Sequence, residues 1–209
     1  MILVENLSKV YRKQEVLRDI TQAFAMGTVY GLVGPNGCGK TTLMRCICGL
    51  AQPTGGHVTV EGKRVGKDVD FAPSTGMIIE EPGFLAQLSG LRNLQVLASL
   101  SPHGRAEEAA KAMAMLGLDP DDKKPVGKYS LGMRQRLGIA QAIMEDPNNL
   151  ILDEPFNALD KQGVAEVHDL LRRLRDRGKT IVLASHSAAD IARACDVTLE
   201  MRGGRLFQM

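Results

Sequence analysis

The feature that most constrains this chain is the stretch Gly34-Pro35-Asn36-Gly37-Cys38-Gly39-Lys40-Thr41. It fits the pattern G-x-x-x-x-G-K-[ST], and its flanks fit as well. The apolar run Thr28-Val29-Tyr30-Gly31-Leu32-Val33 ahead of it reads as a buried strand, and a helical stretch runs from Lys40 to about Leu50 behind it. Glycines let the backbone curl so that its N–H groups point inward at phosphate oxygens, and the helix N-terminus adds its dipole to the same anion. From this position Lys40 can reach β- and γ-phosphates, and the Thr41 hydroxyl can ligate Mg2+.

The rest of the chain alternates strands with helices. Segments 2–4 and 16–24 read as strands. Pro53-Thr54-Gly55-Gly56 marks a turn, and His57-Val58-Thr59-Val60 alternates into a hairpin turn at Glu61-Gly62. The middle third is helical, with periods over 85–100, 106–116 and 131–144, separated at Pro102, Gly104, Pro120 and Pro125. Ser130 is placed to cap the third of these, and Pro147 ends it. Leu150-Ile151-Leu152 is a buried strand running into Asp153-Glu154. Val164, Val167, Leu170, Leu171 and Leu174 line one face of a helix that Gly178 terminates, and 180–184 is another strand, followed by Ser185-His186. The pattern is α/β, with a helical block inserted in the middle.

Asp153 and Glu154 complete the chemistry that the glycine loop begins. A carboxylate at a strand end can hold Mg2+ directly or through water. Glu154 beside it can orient or deprotonate a water for attack on a γ-phosphate.

Composition narrows the alternatives. With 209 residues the chain makes one domain, or one core with a small appendage, and 44% apolar residues suffice for a packed interior. Lys plus Arg is 26 against 24 for Asp plus Glu, so no general charge favours nucleic acid or anionic lipid. The Arg-rich stretch 172–179 falls on the polar face of an amphipathic helix. No apolar run approaches the roughly 20 residues that cross a bilayer, and Met1-Ile2-Leu3-Val4-Glu5 lacks a signal peptide's basic start. A soluble cytoplasmic protein is expected, with Cys38, Cys46, Cys48 and Cys195 kept as thiols because their spacing is not that of a zinc site.

Taken in order, these segments resemble the ATP-binding subunits of ABC transporters. Tyr11 matches the aromatic residue that stacks on adenine. Gly76-Met77-Ile78-Ile79-Glu80 sits where that family has its Q-loop. Tyr129-Ser130-Leu131-Gly132-Met133-Arg134-Gln135-Arg136 aligns with the signature L-S-G-G-Q and its basic continuation. Asn157-Ala158-Leu159-Asp160 resembles the D-loop, and Ser185-His186 the switch histidine. The likeness runs from about residue 2 to residue 206 and implies a P-loop NTPase (RecA-like) core with an antiparallel β subdomain and an inserted α-helical subdomain. On that plan 1–83 and 146–209 form the ATPase core with the β subdomain, and 84–145 the helical signature subdomain.

The resemblance implies an ATP hydrolase with ATP and Mg2+ as cofactors. Gly34 to Thr42 would cradle the phosphates. Thr41, Asp153 and Glu80 would face the metal, and Lys40, Glu154 and His186 would act in hydrolysis. Two subunits would pair head to tail, so that Ser130 and Gly132 of one touch the γ-phosphate bound by the other, while Asp160 communicates between the sites. A membrane permease would dock near Glu80–Leu88, keeping the chain peripheral on the inner face of the cell membrane. The pattern departs from the family at Glu80, in place of glutamine, and at Leu131 and Met133 in the signature. Both departures resemble the bacitracin-resistance and lantibiotic-immunity branch, which implies export of antimicrobial peptides or lipid-like compounds. A soluble non-transport ABC ATPase and an importer subunit are the alternatives, and the second ATPase is a second copy or a different chain. Alkylation of Cys38 is expected to block ATP hydrolysis.

Overall fold

The structure, a computed structural model, describes residues 1–80, 82–101 and 106–209. The breaks expected at Pro102 and Gly104 lie outside these residues. Three apolar runs build the centre of the molecule. Strands β3 (Thr28–Val33), β7 (Asn149–Asp153) and β8 (Thr180–Ala184) are buried almost throughout, as parallel strands covered on both faces must be. They belong to a six-stranded sheet of order β10-β9-β3-β8-β7-β6, with β6 (Thr75–Ile78), β9 (Val197–Arg202) and the edge strand β10 (Arg205–Gln208), antiparallel to β9.

Alternation along these strands feeds two cores. Val29, Leu150, Leu152, Ile181 and Leu183 face a core shared with α2 (Gly90–Leu100), α3 (Ala106–Met115), α4 (Leu131–Ile143) and α5 (Lys161–Asp176). Tyr30, Leu32, Ile151, Val182 and Ala184 point the other way. They pack with α1 (Lys40–Cys48) and with a four-stranded antiparallel sheet of order β2-β1-β4-β5, made of β1 (Ile2–Tyr11), β2 (Gln14–Phe24), β4 (Gly55–Val60) and β5 (Lys63–Arg64). Register aligns Leu32 with Ala184 and Ala184 with Asp153, so Gly34, Glu154 and Ser185 leave the sheet along one edge. The carboxyl edge of a parallel sheet is where α/β folds bind ligands.

The expected caps and turns are present. Ser130 Oγ accepts from Met133 N, Gly178 has φ of 84°, and Glu61 and Gly62 both have positive φ, as a type I′ hairpin turn requires. Other elements differ from expectation for identifiable reasons. The first helix of the block, α2, starts at Gly90, not 85, because Ser89 caps it and the buried Asn93 side chain ties down the chain before it. Asn93 accepts from Leu85 N at 2.7 Å and donates to Leu85 O and Ser89 O. Strand β1 runs well past residue 4, since irregularities around Asn6, at φ 49°, break the alternation that would have revealed it. Strand β6 is short and carries Gly76, where a Cβ would lie 1.8 Å from Ala142 O of α4. The hairpin β9–β10 and the helix α6 (Ala188–Ala194) are likewise too short to announce themselves in the pattern.

Candidate active site

The glycine loop stands between β3 and α1 with three positive φ angles, 146° at Gly34, 77° at Gly37 and 114° at Gly39. Two of these glycines also answer to crowding. A Cβ at Gly34 would meet Met201 O at 2.3 Å, and one at Gly39 would meet Leu17 Cδ2 at 2.9 Å. At Gly37 a Cβ would meet nothing within 4 Å, so this part of the loop faces open space. Helix α1 begins with no side-chain cap and no acidic residue in its first turn, which leaves its positive end to an anion. Lys40 is 8% exposed, and its Nζ donates to Gly34 O at 2.7 Å and Pro35 O at 3.2 Å. The ammonium therefore curls over its own loop, on two neutral carbonyls that phosphate oxygens would outcompete.

Thr41 Oγ1 donates to Asp153 Oδ2 at 2.6 Å, which joins the loop to the end of β7. The next residue, Glu154, sits at φ 50° and is held on three sides. Its N–H donates to Ala184 O, its carbonyl accepts from Gln135 Nε2 at 3.1 Å, and its carboxylate lies 2.9 Å from His186 Nδ1. An ionised carboxylate only accepts, so Nδ1 carries the ring proton and Nε2 is left facing outward on a side chain 69% exposed. Lys40, Thr41, Asp153, Glu154 and Gln135 line one cavity of about 580 Å³, and His186 is joined to it through Glu154 without being part of its lining. Its charged lining is Lys40 and Arg134 against Glu80, Asp153 and Glu154. A polyphosphate entering among three carboxylates needs a divalent cation to be tolerated. Thr41 and Asp153 supply the hard oxygens that Mg2+ takes alongside phosphate and water. Among the described residues no group of three or more His, Cys, Asp or Glu side chains could hold a metal by itself, which is in keeping with an ion shared with a phosphate.

Residues 17–157 match the family described as ABC transporter. The chain belongs to that family. It is 45% identical over 206 residues to an uncharacterized ABC transporter ATP-binding protein of Bacillus subtilis, YybJ, covering 99% of this chain and 94% of that one. It is 41% identical over 210 residues to the bacitracin transport ATP-binding protein BcrA of Enterococcus faecalis, with 100% and 68% covered. The lantibiotic transport ATP-binding protein SrtF of Streptococcus pyogenes is 36% identical over 197 residues, with 94% and 84% covered. A solved ATP-binding subunit of an ABC transporter superposes with a TM-score of 0.88 at 26% identity, over 100% of this chain and 90% of its own. The dimeric ABC transporter cassette MJ0796 shares the fold, with a TM-score of 0.87 at 23% identity over 99% and 96%. The chain is thus an ABC-type ATPase, the ATP-binding subunit of a transporter.

Within this ABC cassette the expected residues fall into two groups. Asn36, Gly37, Gly39, Lys40, Thr41, Thr42, Asp153, Glu154 and Glu80 line the cavity together, with Cys38 Sγ 3.9 Å from Lys40 Nζ. Gly34, Pro35, Tyr11, Ser130, Gly132, Asp160 and His186 are not in its lining. Ser130 is exposed at the start of α4, and Asp160 caps α5 by accepting from Gly163 N at 2.8 Å. Tyr11 is 42% exposed, with Lys9 Nζ 4.6 Å from its ring centre, while Val16 takes a place in the cavity wall. Glu80, at φ 64°, is bound by Arg45 Nη2 of α1 at 2.6 Å, away from the Thr41–Asp153 pair.

Polar residues in or beside the cavity that carried no assigned role in the sequence include Arg134, Gln135 and Asn157 in its wall and Arg45 and Arg136 around it. Arg45 lies one helical turn beyond Thr41, a spacing that puts both on one face of α1. Arg136 bonds Leu116 O at 2.7 Å and Glu166 of α5, whose carboxyl is held below the usual range first by that hydrogen bond. The Arg-rich stretch is largely ion-paired, through Arg172–Asp169, Arg175–Asp196 and Arg177–Asp146.

Proposed function

We propose that this cassette hydrolyses MgATP to drive export of antimicrobial peptides or lipid-like compounds through a membrane permease. The observation that carries the chemistry is the convergence of the phosphate loop, the Thr41–Asp153 pair and Glu154 on one cavity, with His186 held against Glu154. The identity to BcrA and SrtF favours antimicrobial peptides as cargo. Lys40 exchanges its loop carbonyls for β- and γ-phosphate oxygens, while the loop amides and the end of α1 hold the rest of the triphosphate. Thr41 and Asp153 would hold Mg2+, and the ion would supply positive charge against the phosphates. Glu154 takes the proton from the attacking water. For His186 to donate to the γ-phosphate from Nε2 while Nδ1 keeps Glu154, the ring must carry both protons. Glu80, kept by Arg45, would bear on the metal's surroundings through its charge and not as a ligand.

The cassette works as a head-to-tail pair, most simply of two copies. Ser130 uses its oxygen to cap α4, and its O–H remains free to reach a γ-phosphate outside its own cavity, beside the Gly132 backbone. Tyr11 meets the adenine, and Asp160 signals between the sites. Residues 1–83 and 146–209 form the ATPase core with its β subdomain, and 84–145 the helical subdomain. Among the described residues no helix is long and apolar enough to cross a membrane, so the permease supplies the path. It docks in the groove of about 450 Å³ lined by Leu50, Ile79, Phe84, Leu85 and Leu97, and this places the cassette at the cytoplasmic face.

The test is Glu154→Gln with ATP, followed by light scattering. A dimer that forms only with ATP, together with lost hydrolysis, is expected. Hydrolysis at the wild-type rate would remove Glu154 as the base.

A further inference from the structure

Helix α4 touches the catalytic strand end at one polar contact that the functional assignment above does not use. Gln135, on the second turn of α4, is half-buried and donates from Nε2 to the main-chain carbonyl of Glu154 at 3.1 Å. That carbonyl also accepts from Asn157 N at 3.2 Å. The peptide is not free to relax: Glu154 is in the left-handed region at φ 50°, which a residue with a Cβ keeps only when its surroundings fix it. The strand-side anchor, Glu154 N to Ala184 O, fixes one end. The anchor from the helical block is Gln135.

The neighbourhood ties α4 to the same loop elsewhere. A Cβ at Gly132 would lie 2.8 Å from Ala158 O, so the first turn of α4 rides on the backbone that follows Glu154. Arg136 reaches Leu116 O at 2.7 Å and approaches Asp160 Oδ1 at 3.8 Å, and Gly163 leaves room for it, since a Cβ there would meet Arg136 Nη2 at 2.8 Å. A shift of α4 is therefore passed to the segment 154–160, and through the Gln135 amide to Glu154 itself.

We propose that Gln135 is a positioning residue: its amide sets the Glu154 peptide so that the carboxylate addresses the attacking water, and it makes the hydrolytic group answer to the position of the signature helix in the same chain. This inference rests on the proposed role of Glu154. Gln135 stands in the cavity wall but its amide is spent on the Glu154 carbonyl and holds no phosphate in this scheme, so its loss is expected to fall on turnover and not on ATP affinity.

The test compares Q135M, which keeps length and volume without a donor, Q135K, which restores a donor, and Q135A, which serves should the Met variant fail to fold. All are measured as the full chain, with nucleotide affinity by fluorescent ATP titration and turnover at saturating MgATP. Q135M and Q135A are expected to lose about tenfold in kcat, the worth of one hydrogen bond, with unchanged ATP affinity, and Q135K to recover most of it. Wild-type kcat in both Q135M and Q135A, a loss confined to ATP affinity, or equal losses in Q135M and Q135K would each overturn the proposal. E154Q is run beside them. If it hydrolyses at the wild-type rate, the base assignment fails, and this inference with it; if it is inactive while Q135M is wild-type, only the inference fails.

Discussion

Replacing Arg45 by Met leaves the Glu80 carboxylate unpaired at the wall of the nucleotide cavity. In the wild-type chain the two side chains meet at 2.6 Å and are 37% and 63% exposed. A pair that open to water contributes about 0.5 kcal/mol to folding, a shift of about 1–2 °C in Tm. The larger consequence falls on the nucleotide. Taken at about one Debye length, ~8 Å, from a phosphate and at an effective dielectric constant of about 40, a unit charge opposes each negative charge by about 1 kcal/mol. MgATP carries a net charge of about −2, and salt near 0.15 M screens a gap of this size by about a factor of two to three, leaving about 1 kcal/mol. R45M is therefore expected to bind ATP about fivefold more weakly, more so in dilute salt, while R45M/E80Q returns to the wild-type affinity. E80Q alone still binds ATP, more tightly by about the same factor because Arg45 is left unpaired, and changes turnover. Titration of a fluorescent ATP analogue across about 0.02–0.5 M salt reads the first set, and steady-state hydrolysis the last. Unchanged affinity of R45M at low salt, or a double variant no tighter than R45M, would show that the Glu80 charge does not reach the phosphates. Wild-type turnover in E80Q would take Glu80 out of the reaction.

Two further outcomes follow from the thiols and from a buried histidine. Alkylation is expected to label Cys38 first and to block hydrolysis, with ATP protecting, because its sulfur stands 3.9 Å from Lys40 Nζ inside the loop. Burial pushes the other thiols up, Cys46 to about 11 and Cys48 and Cys195 to about 12, and keeps them protonated and slow; a chain labelled at Cys38 that still hydrolyses ATP would refute this. His168 is 8% exposed and stacked 4.7 Å from Phe156, and burial lowers its pKa below the ordinary value of 6.5, against the opposing pull of Asp190 and with help from Arg193 and Arg172. The unfolded chain thus takes up a proton before the folded one does, so stability is full above about pH 6.5 and falls as pH drops below it. Melting curves of wild type and His168→Phe should diverge on acidification, and parallel curves would contradict the assignment.

The parts of this site that were legible in the sequence are those whose chemistry is written in consecutive residues. The phosphate loop needs glycines at fixed offsets beside a strand and a helix, and Asp153-Glu154 needs only a strand end. Each was readable alone, and the 2.6 Å contact between Thr41 and Asp153 then follows from the register of β3, β8 and β7. Arg45 and Gln135 were not readable. Each is a polar residue in the body of a helix, where solvent is the ordinary partner, and each finds its partner across a fold that no local period encodes. The start of α2 was misplaced for a related reason: the apolar spacing at 85–88 is helical, but the Asn93 side chain outcompetes it for the backbone there.

The two departures in the signature segment fall where the packing leaves room for them. Capping of α4 needs an oxygen at Ser130 and a main-chain N–H at Met133, and any residue at 133 supplies the N–H, so a methionine there leaves the cap intact. Leu131 is 63% exposed at the wall of the cavity, so a bulky side chain is accommodated where the family pattern has glycine. Gly132 has no such latitude. A Cβ there would press to 2.8 Å against Ala158 O, in the backbone between Glu154 and Asp160. The segment thus varies at an exposed position and at one whose capping role belongs to the main chain while its side chain packs on the core, and keeps serine and glycine where an oxygen and an empty space are required.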